Sequence, residues 1–205
     1  MKENLKKEEN VVLDKNKKII VIGPMDEEPN LKLIEALYDI YCDEKSYDNG
    51  ITQYEYKYTY NKEKKKSIKI PIIQIFGYKE THKPFIEKMK LYSSVCIFAY
   101  LAGNYESLNN VINFYYKQIK AKDKKCKFIC VGIAKNEINE LEKKKKIEKA
   151  KKKLKGIKYK AVFAITYIES NDINNVLNKA TQILLNDDDD YDDDDDNGYC
   201  YCPLI

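Results

Sequence analysis

The chemistry-bearing residues that stand out are two cysteines near the end of the chain. Cys202-Pro203-Leu204-Ile205 has the order of a C-a-a-X box, a cysteine three residues from the end with an aliphatic Leu204 and a hydrophobic last residue, Pro203 and Ile205 being tolerated rather than favoured choices. The chemistry such a box supports is S-alkylation, with the Cys202 sulfur carrying an isoprenoid as a thioether. Cys200 offers a second thiol for a second lipid. Two chains matter because each buried CH₂ adds roughly 0.8 kcal/mol, and a single chain gives only reversible membrane binding. The plainer reading is a tail that happens to contain two cysteines. Elsewhere the reactive types are sparse. His82 is the one histidine, and no serine or cysteine stands with it in a triad order, so nucleophilic catalysis is not expected. Cys126 and Cys130 are four apart but lack a second pair nearby, so no zinc site is expected.

Charge is unevenly distributed. The formal net charge is +4, yet Asp187–Asp190 and Asp192–Asp196 supply nine negative charges, so the rest of the chain carries +13. A basic body suits an anionic membrane, nucleic acid or an acidic partner, while lysines on polar helix faces also read as a solvated surface. No stacking aromatics interleave the runs Lys143–Lys146 and Lys151–Lys153, so nucleic-acid binding is not expected. The aspartate run lacks the glycine turn and ligand spacing of a calcium loop and reads as an acidic spacer. It could also fold back on the basic helix around Lys143–Lys155.

Residues 1–10 are charged and contain no apolar core of a secretory signal, and no run reaches the 18 or so apolar residues of a spanning helix. These features place the protein on the cytosolic side, where six cysteines do not suggest a disulfide framework. Cys96, Cys126 and Cys130 lie in or beside apolar runs and are expected to be inert.

Periodicity then gives the elements that must position any site. Residues 1–16 read as a disordered extension, 17–185 as one domain, and 186–205 as an acidic disordered tail. Lys18–Gly23 is a short apolar strand ending in glycine. Apolar residues at 31, 33, 34, 37, 38 and 41 give a helix over Asn30–Cys42. Ile51–Tyr60 alternates, with Tyr54, Tyr56, Tyr58 and Tyr60 on one face, and pairs with Ile68–Phe76 as a hairpin. Pro71 suggests an edge or a bulge. A short helix fits Lys83–Leu91. Val95–Leu101 and Lys127–Ile133 are continuous apolar strands, as expected when both faces are buried. Tyr105–Ala121 is a helix with Leu108, Val111, Ile112, Tyr115 and Ile119 on one side. Glu137–Lys155 is a basic helix, Lys160–Ile165 a last strand, and Ile173–Leu185 a last helix capped by Ser170 or Asn171. The alternation predicts an α/β fold: a six-stranded, mostly parallel sheet with one antiparallel edge strand and helices on both faces. Ligands of such sheets bind beyond the carboxyl ends of the strands, here the loop after Ile22.

This element order, with Glu106-Ser-Leu-Asn-Asn-Val-Ile-Asn-Phe114 and a paired-cysteine tail, resembles the Rab-type small GTPases of the Ras superfamily. The segment is similar to the family's E-S-F-N-N-V-x-x-W. Lys17–Gly23 resembles the first strand, Ile68–Gly77 the third strand with its D-T-A-G turn, and Phe128–Gly132 the strand before N-K-x-D. The resemblance implies a P-loop-NTPase-like small G domain. Its nucleotide motifs, however, are degenerate. The phosphate loop G-x-x-x-x-G-K-[ST] gives backbone N–H groups, a lysine and a magnesium-binding hydroxyl to the phosphates. Here it corresponds to Gly23-Pro-Met-Asp-Glu-Glu-Pro-Asn30, with Glu28 at the second glycine, Pro29 at the lysine and Asn30 at the hydroxyl. Gln74 stands where the family has its magnesium aspartate, Gly77 is kept, and Tyr78 replaces the water-orienting glutamine. The base-reading motif becomes Ile133-Ala-Lys-Asn136, and Tyr167-Ile-Glu169 replaces S-A-K. Thr52 corresponds to the switch threonine. Tyr78 and Tyr167 are bulky enough to fill the emptied pocket.

The resemblance therefore implies a pseudo-GTPase: no GTP hydrolysis, no required cofactor, and a lipid-anchored interaction module in vesicle traffic on the cytoplasmic face of an intracellular membrane, with a cytosolic pool. Its partners would be trafficking effectors or regulators meeting residues 52–91, with the membrane reached through the prenyl group. Two alternatives stay open: a divergent switch that binds GTP or GDP with magnesium, and a soluble, non-lipidated scaffold subunit.

Overall fold

The computed structural model describes residues 17–23, 45–47, 51–61, 66–75, 84, 94–134, 136, 138–166 and 170–186. They form a single α/β sheet with strand order β2-β3-β4-β1-β5-β6-β7. The strands are β1 (Ile19–Ile22), β2 (Lys45–Tyr47), β3 (Ile51–Asn61), β4 (Lys66–Ile75), β5 (Val95–Leu101), β6 (Lys127–Ala134) and β7 (Ala161–Thr166). The five strands β4-β1-β5-β6-β7 are all parallel to their neighbours. β3 joins β4 antiparallel, and the three-residue β2 joins β3 antiparallel.

The sheet thus differs from the expected six strands. It is a five-stranded parallel sheet extended by two more strands, and β2 rather than the long β3 lies at that edge. A three-residue strand is too short to leave a periodic signal.

β1 is the hub. Its four apolar residues are buried, between β4 on one side and β5 on the other. Burying each such side chain is worth about 1.5–3 kcal/mol. The continuous apolar runs of β5 and β6 are buried on both faces, as their composition requires.

Pro71 sits at a local edge, on the flank of β4 that β1 does not reach. It lies in β4, paired with Glu55 of β3, and the one irregularity in that pairing is at Thr59/Asn61. The pairing of β4 with β1 begins only at Ile72. On that flank Pro71 has no neighbouring strand to which an amide would donate, so its missing N–H costs no ladder bond there.

The helices are α1 (Tyr105–Val111), α2 (Lys117–Lys122), α3 (Glu140–Lys153) and α4 (Ser170–Leu185). A π-helical turn, Ile112–Tyr116, links α1 to α2 without a break. Leu108, Val111, Ile112, Tyr115 and Ile119 are all buried, so the apolar stripe survives the wider turn. They pack with Phe98, Phe128, Ala150 and Leu154 on one face of the sheet. On the other face Ile173, Val176, Leu177, Ala180 and Leu184 of α4 pack against Ile19, Val21, Ile70, Ile97 and Ile129. α4 begins at Ser170, three residues before the expected Ile173. α3 begins three residues later than expected because Asn139 caps it, its Oδ1 accepting from Glu142 N at 2.9 Å. The expected helices Asn30–Cys42 and Lys83–Leu91, the extension 1–16 and the tail from residue 187 lie outside the described residues, Pro84 excepted.

Candidate functional site at the carboxyl ends of the strands

The strand order reverses at β1: the chain goes on to β4 on one side and to β5, β6 and β7 on the other. In a parallel sheet the crevice outside such a switch point is the usual ligand site. Gly23 is the residue that leaves β1 into it, and Gly23 is buried. Its N–H donates to Ile75 O at 3.4 Å, so this amide continues the sheet.

The neighbouring rim is built by the turn after β5. Asn104 N donates to Leu101 O at 2.9 Å, and Ala102 N donates to Ile133 O at 2.8 Å. Ser107 Oγ accepts from Leu101 N at 3.2 Å and donates to Asn104 O at 2.8 Å. Asn104 Oδ1 caps α1, accepting from Glu106 N at 3.1 Å and Ser107 N at 3.3 Å. Gly103 takes φ +111°, a left-handed conformation that favours glycine. Lys146 of α3 reaches across, its Nζ donating to Ala102 O at 3.4 Å. The amides of Leu101, Ala102 and Asn104 and the Lys146 ammonium thus already have acceptors.

Among the described residues, the helix N-termini at this end are already neutralised by acidic side chains. Helix N-termini carry partial positive charge and attract anions. Here those of α1, α3 and α4 are answered by acidic side chains in the first turn: Glu106, Glu140 with Glu142, and Asp172. Lys143 is drawn into the same balance. Its side chain is 11% exposed, with Nζ 2.9 Å from Asp172 Oδ2 and 3.2 Å from Glu140 Oε1. The pair ties α3 to the start of α4 across the β7 edge.

Tyr100 fills space beneath the rim. It is 1% exposed and lies against Gly132 of the adjacent strand, where a Cβ would stand 2.8 Å from its hydroxyl oxygen. Burial, then the neighbouring Cys130 and Tyr105, holds its phenol well above the usual tyrosine range.

The residues expected at a site distribute as follows. Gly23 ends β1. Gln74 is paired with Val21 of β1 and Thr52 of β3, one residue before β4 ends. Asn136 is exposed just after β6, two strands from β1, or about 10 Å at the usual spacing. Gly23 and Gln74 are therefore on adjacent strands at one end of the sheet, with Asn136 farther along the same edge. Pro29, Asn30, Gly77, Tyr78, Tyr167, Cys200 and Cys202 lie outside the described residues.

Two further expectations meet the structure. Two tyrosines of the alternating row pack into the core. Tyr56 is 5% exposed, Tyr58 is half-buried, their ring centroids are 6.3 Å apart, and both join the α4 side of the core. The cysteines Cys96, Cys126 and Cys130 are free and buried. Cys130 is pushed up to about 12 by burial, so it stays a protonated thiol at neutral pH. Cys96 and Cys126, 3.3 Å apart at sulfur, share a hydrogen bond that sequence spacing did not reveal. Burial first, then that bond, raises the Cys96 thiol well above its ordinary value. Among the described residues no three His, Cys, Asp or Glu are grouped to hold a metal ion, and no helix is long and apolar enough to cross a membrane. Comparison with protein-family models finds no match, and comparison with curated proteins finds none either.

Proposed function

We propose that this chain is a Rab-like small G domain that has lost its nucleotide cycle and serves as a constitutive protein-interaction module in vesicle traffic, held to cytoplasmic membranes by lipid on Cys202 and Cys200. The observation that carries the reading is the coincidence of Gly23 with the switch point of the sheet. The segment that would wrap a phosphate there reads Gly23-Pro-Met-Asp-Glu-Glu-Pro-Asn30. It offers three carboxylates and no lysine. At about 4 Å each carboxylate–phosphate repulsion costs about 1 kcal/mol in a wet site and more in a dry one. Pro29 also lacks an amide to donate. The acidic first turns of α1, α3 and α4 add no compensating positive field. Without a γ-phosphate to order switch loops, a two-state cycle has no driving ligand.

The partner surface in this reading is within residues 52–91, less the Tyr56 and Tyr58 side chains that the core uses. The deciding experiment is nucleotide content. Protein purified gently and then denatured should release no guanine nucleotide on HPLC, and millimolar GTP or GDP with magnesium should leave its melting temperature unchanged. Stoichiometric GDP or GTP would overturn the reading in favour of a divergent working switch. Detergent partitioning after expression in a prenylating cell, compared with Cys200→Ser/Cys202→Ser, tests the anchor; equal partitioning would leave a soluble scaffold.

A further inference from the structure

The opposite end of the sheet, where the parallel strands begin, has the reverse charge. Helices α2 and α3 descend to it and end in Lys120 and Lys122, and in Lys151, Lys152 and Lys153. Lysines at helix C-termini complement the macrodipole and need no further explanation. The loops do need one. The turn before β6 exposes Lys124 and Lys125, and the segment between α3 and β7 exposes Lys155 and Lys158. These loops are adjacent, since Lys160 N donates to Phe128 O, at the start of β6, at 2.7 Å. The acid lying in these turns, Asp123, is buried and accepts from Lys125 N at 2.9 Å.

α4 also ends here. Lys17 Nζ, just before β1, donates to Leu184 O at 3.3 Å. The chain leaves the helix at Asn186 and enters the run Asp187–Asp190, Asp192–Asp196. Ten residues extended span about 33 Å. From β1 to β7 is three strand spacings, about 14 Å. The run is therefore released beside the lysine-rich end and is long enough to cross it.

We propose that the aspartate run of this same chain docks on the lysine edge formed by Lys124, Lys125, Lys152, Lys153, Lys155 and Lys158, masking it from other anions. The occupant is set by charge complementarity and by where α4 ends. The outer face of α3, with exposed Lys144, Lys145 and Lys149, is as basic but lies farther along the helix from that edge. The proposal stands whether or not Cys200 and Cys202 carry lipid.

The test is zero-length carbodiimide cross-linking of the full chain, which joins a carboxylate to an amine only in direct contact, followed by mass spectrometry. Carboxylates 187–196 should couple to the six edge lysines at least about five-fold more than to Lys144, Lys145 and Lys149. The coupling should collapse in about 1 M salt, where the Debye length falls to about 3 Å. Lys124→Glu/Lys125→Glu/Lys155→Glu/Lys158→Glu, all at exposed positions, should abolish it. Even coupling to every exposed lysine overturns the proposal. So do links formed mainly between isotopically distinct chains, which would make the occupant a second copy. A vesicle assay separates the remaining source of negative charge: replacing all nine aspartates with asparagine should raise binding to phosphatidylserine vesicles. If the wild-type chain binds them equally well, the edge is open and the proposal fails.

Discussion

Replacing Gly132 with alanine should test how tightly β5 and β6 are locked beneath the candidate site. The new methyl carbon would stand 2.8 Å from the Tyr100 hydroxyl oxygen, 2.9 Å from its Cζ and 3.3 Å from Ala102 Cβ. Ordinary contacts begin near 3.4 Å, so the end of the ring must retreat by about 0.6 Å, and overpacking of this kind costs about 1–3 kcal/mol. Tyr100 is 1% exposed, so the ring cannot relieve the contact by swinging into solvent without leaving the core. For a domain of this size each kcal/mol lowers Tm by about 2–4 °C, so a cost of about 2 kcal/mol gives a drop of about 4–8 °C. The clash also makes the two positions non-additive. Tyr100→Leu removes the crowding atoms while opening a cavity of its own. The double variant should then be less destabilised than the two single costs together, with a coupling of about 1 kcal/mol or more. Urea denaturation of the four proteins in the cycle measures it. A Gly132→Ala protein that melts with the wild type, or costs that simply add, would refute the reasoning.

Two other outcomes follow from the buried thiols and the helix caps. Cys130 is raised to about 12 from an ordinary value near 9, and Cys96 is raised as well. Above pH 9 the unfolded chain therefore releases protons that the folded one keeps, and stability falls as pH rises toward 12, by up to about 1.4 kcal/mol per pH unit for each such group. Urea melts at stepped alkaline pH should show this slope, and Cys130→Ala should lessen it by about one proton's worth. Asn104→Ala strips the cap that accepts from Glu106 N and Ser107 N and should cost about 1 kcal/mol by the same assay, with Asn104→Asp close to wild type.

Much of the fold was legible because it rests on continuous apolar runs. β5, β6 and β7 stand within a residue or so of where hydrophobicity alone placed them, and the stripe of Leu108, Val111, Ile112, Tyr115 and Ile119 is the buried stripe. What escaped depends on neighbours far away in sequence. Pro71 signalled an edge, but sequence did not show that the edge is only local, made by a β1 too short to reach it within an otherwise paired β4. Lys143 looked like one more solvated lysine until Asp172 was brought beside it. Nothing in a list of glycines marks Gly132 as the one lying under a tyrosine ring. At the candidate site, a strand ending in glycine was enough to locate the switch point. The closure of the Leu101–Asn104 turn was not legible, because it depends on Ile133 and Lys146, which are far away in sequence.

The central position of β1 has a consequence for how the chain reaches this state. Ile19 pairs with Ile72 on one side and Val95 on the other, and the helix that covers it is α4, near the end of the domain. No contact of β1 within the sheet is local. Its strand is made early and must wait for partners made much later, so loop-closure entropy is spent before the sheet returns any stabilisation. Folding should be slow for a domain of this size and should complete only after Leu184 has been made. A chain cut before α4 would lack the helix that, among the described residues, covers one face of this apolar strand.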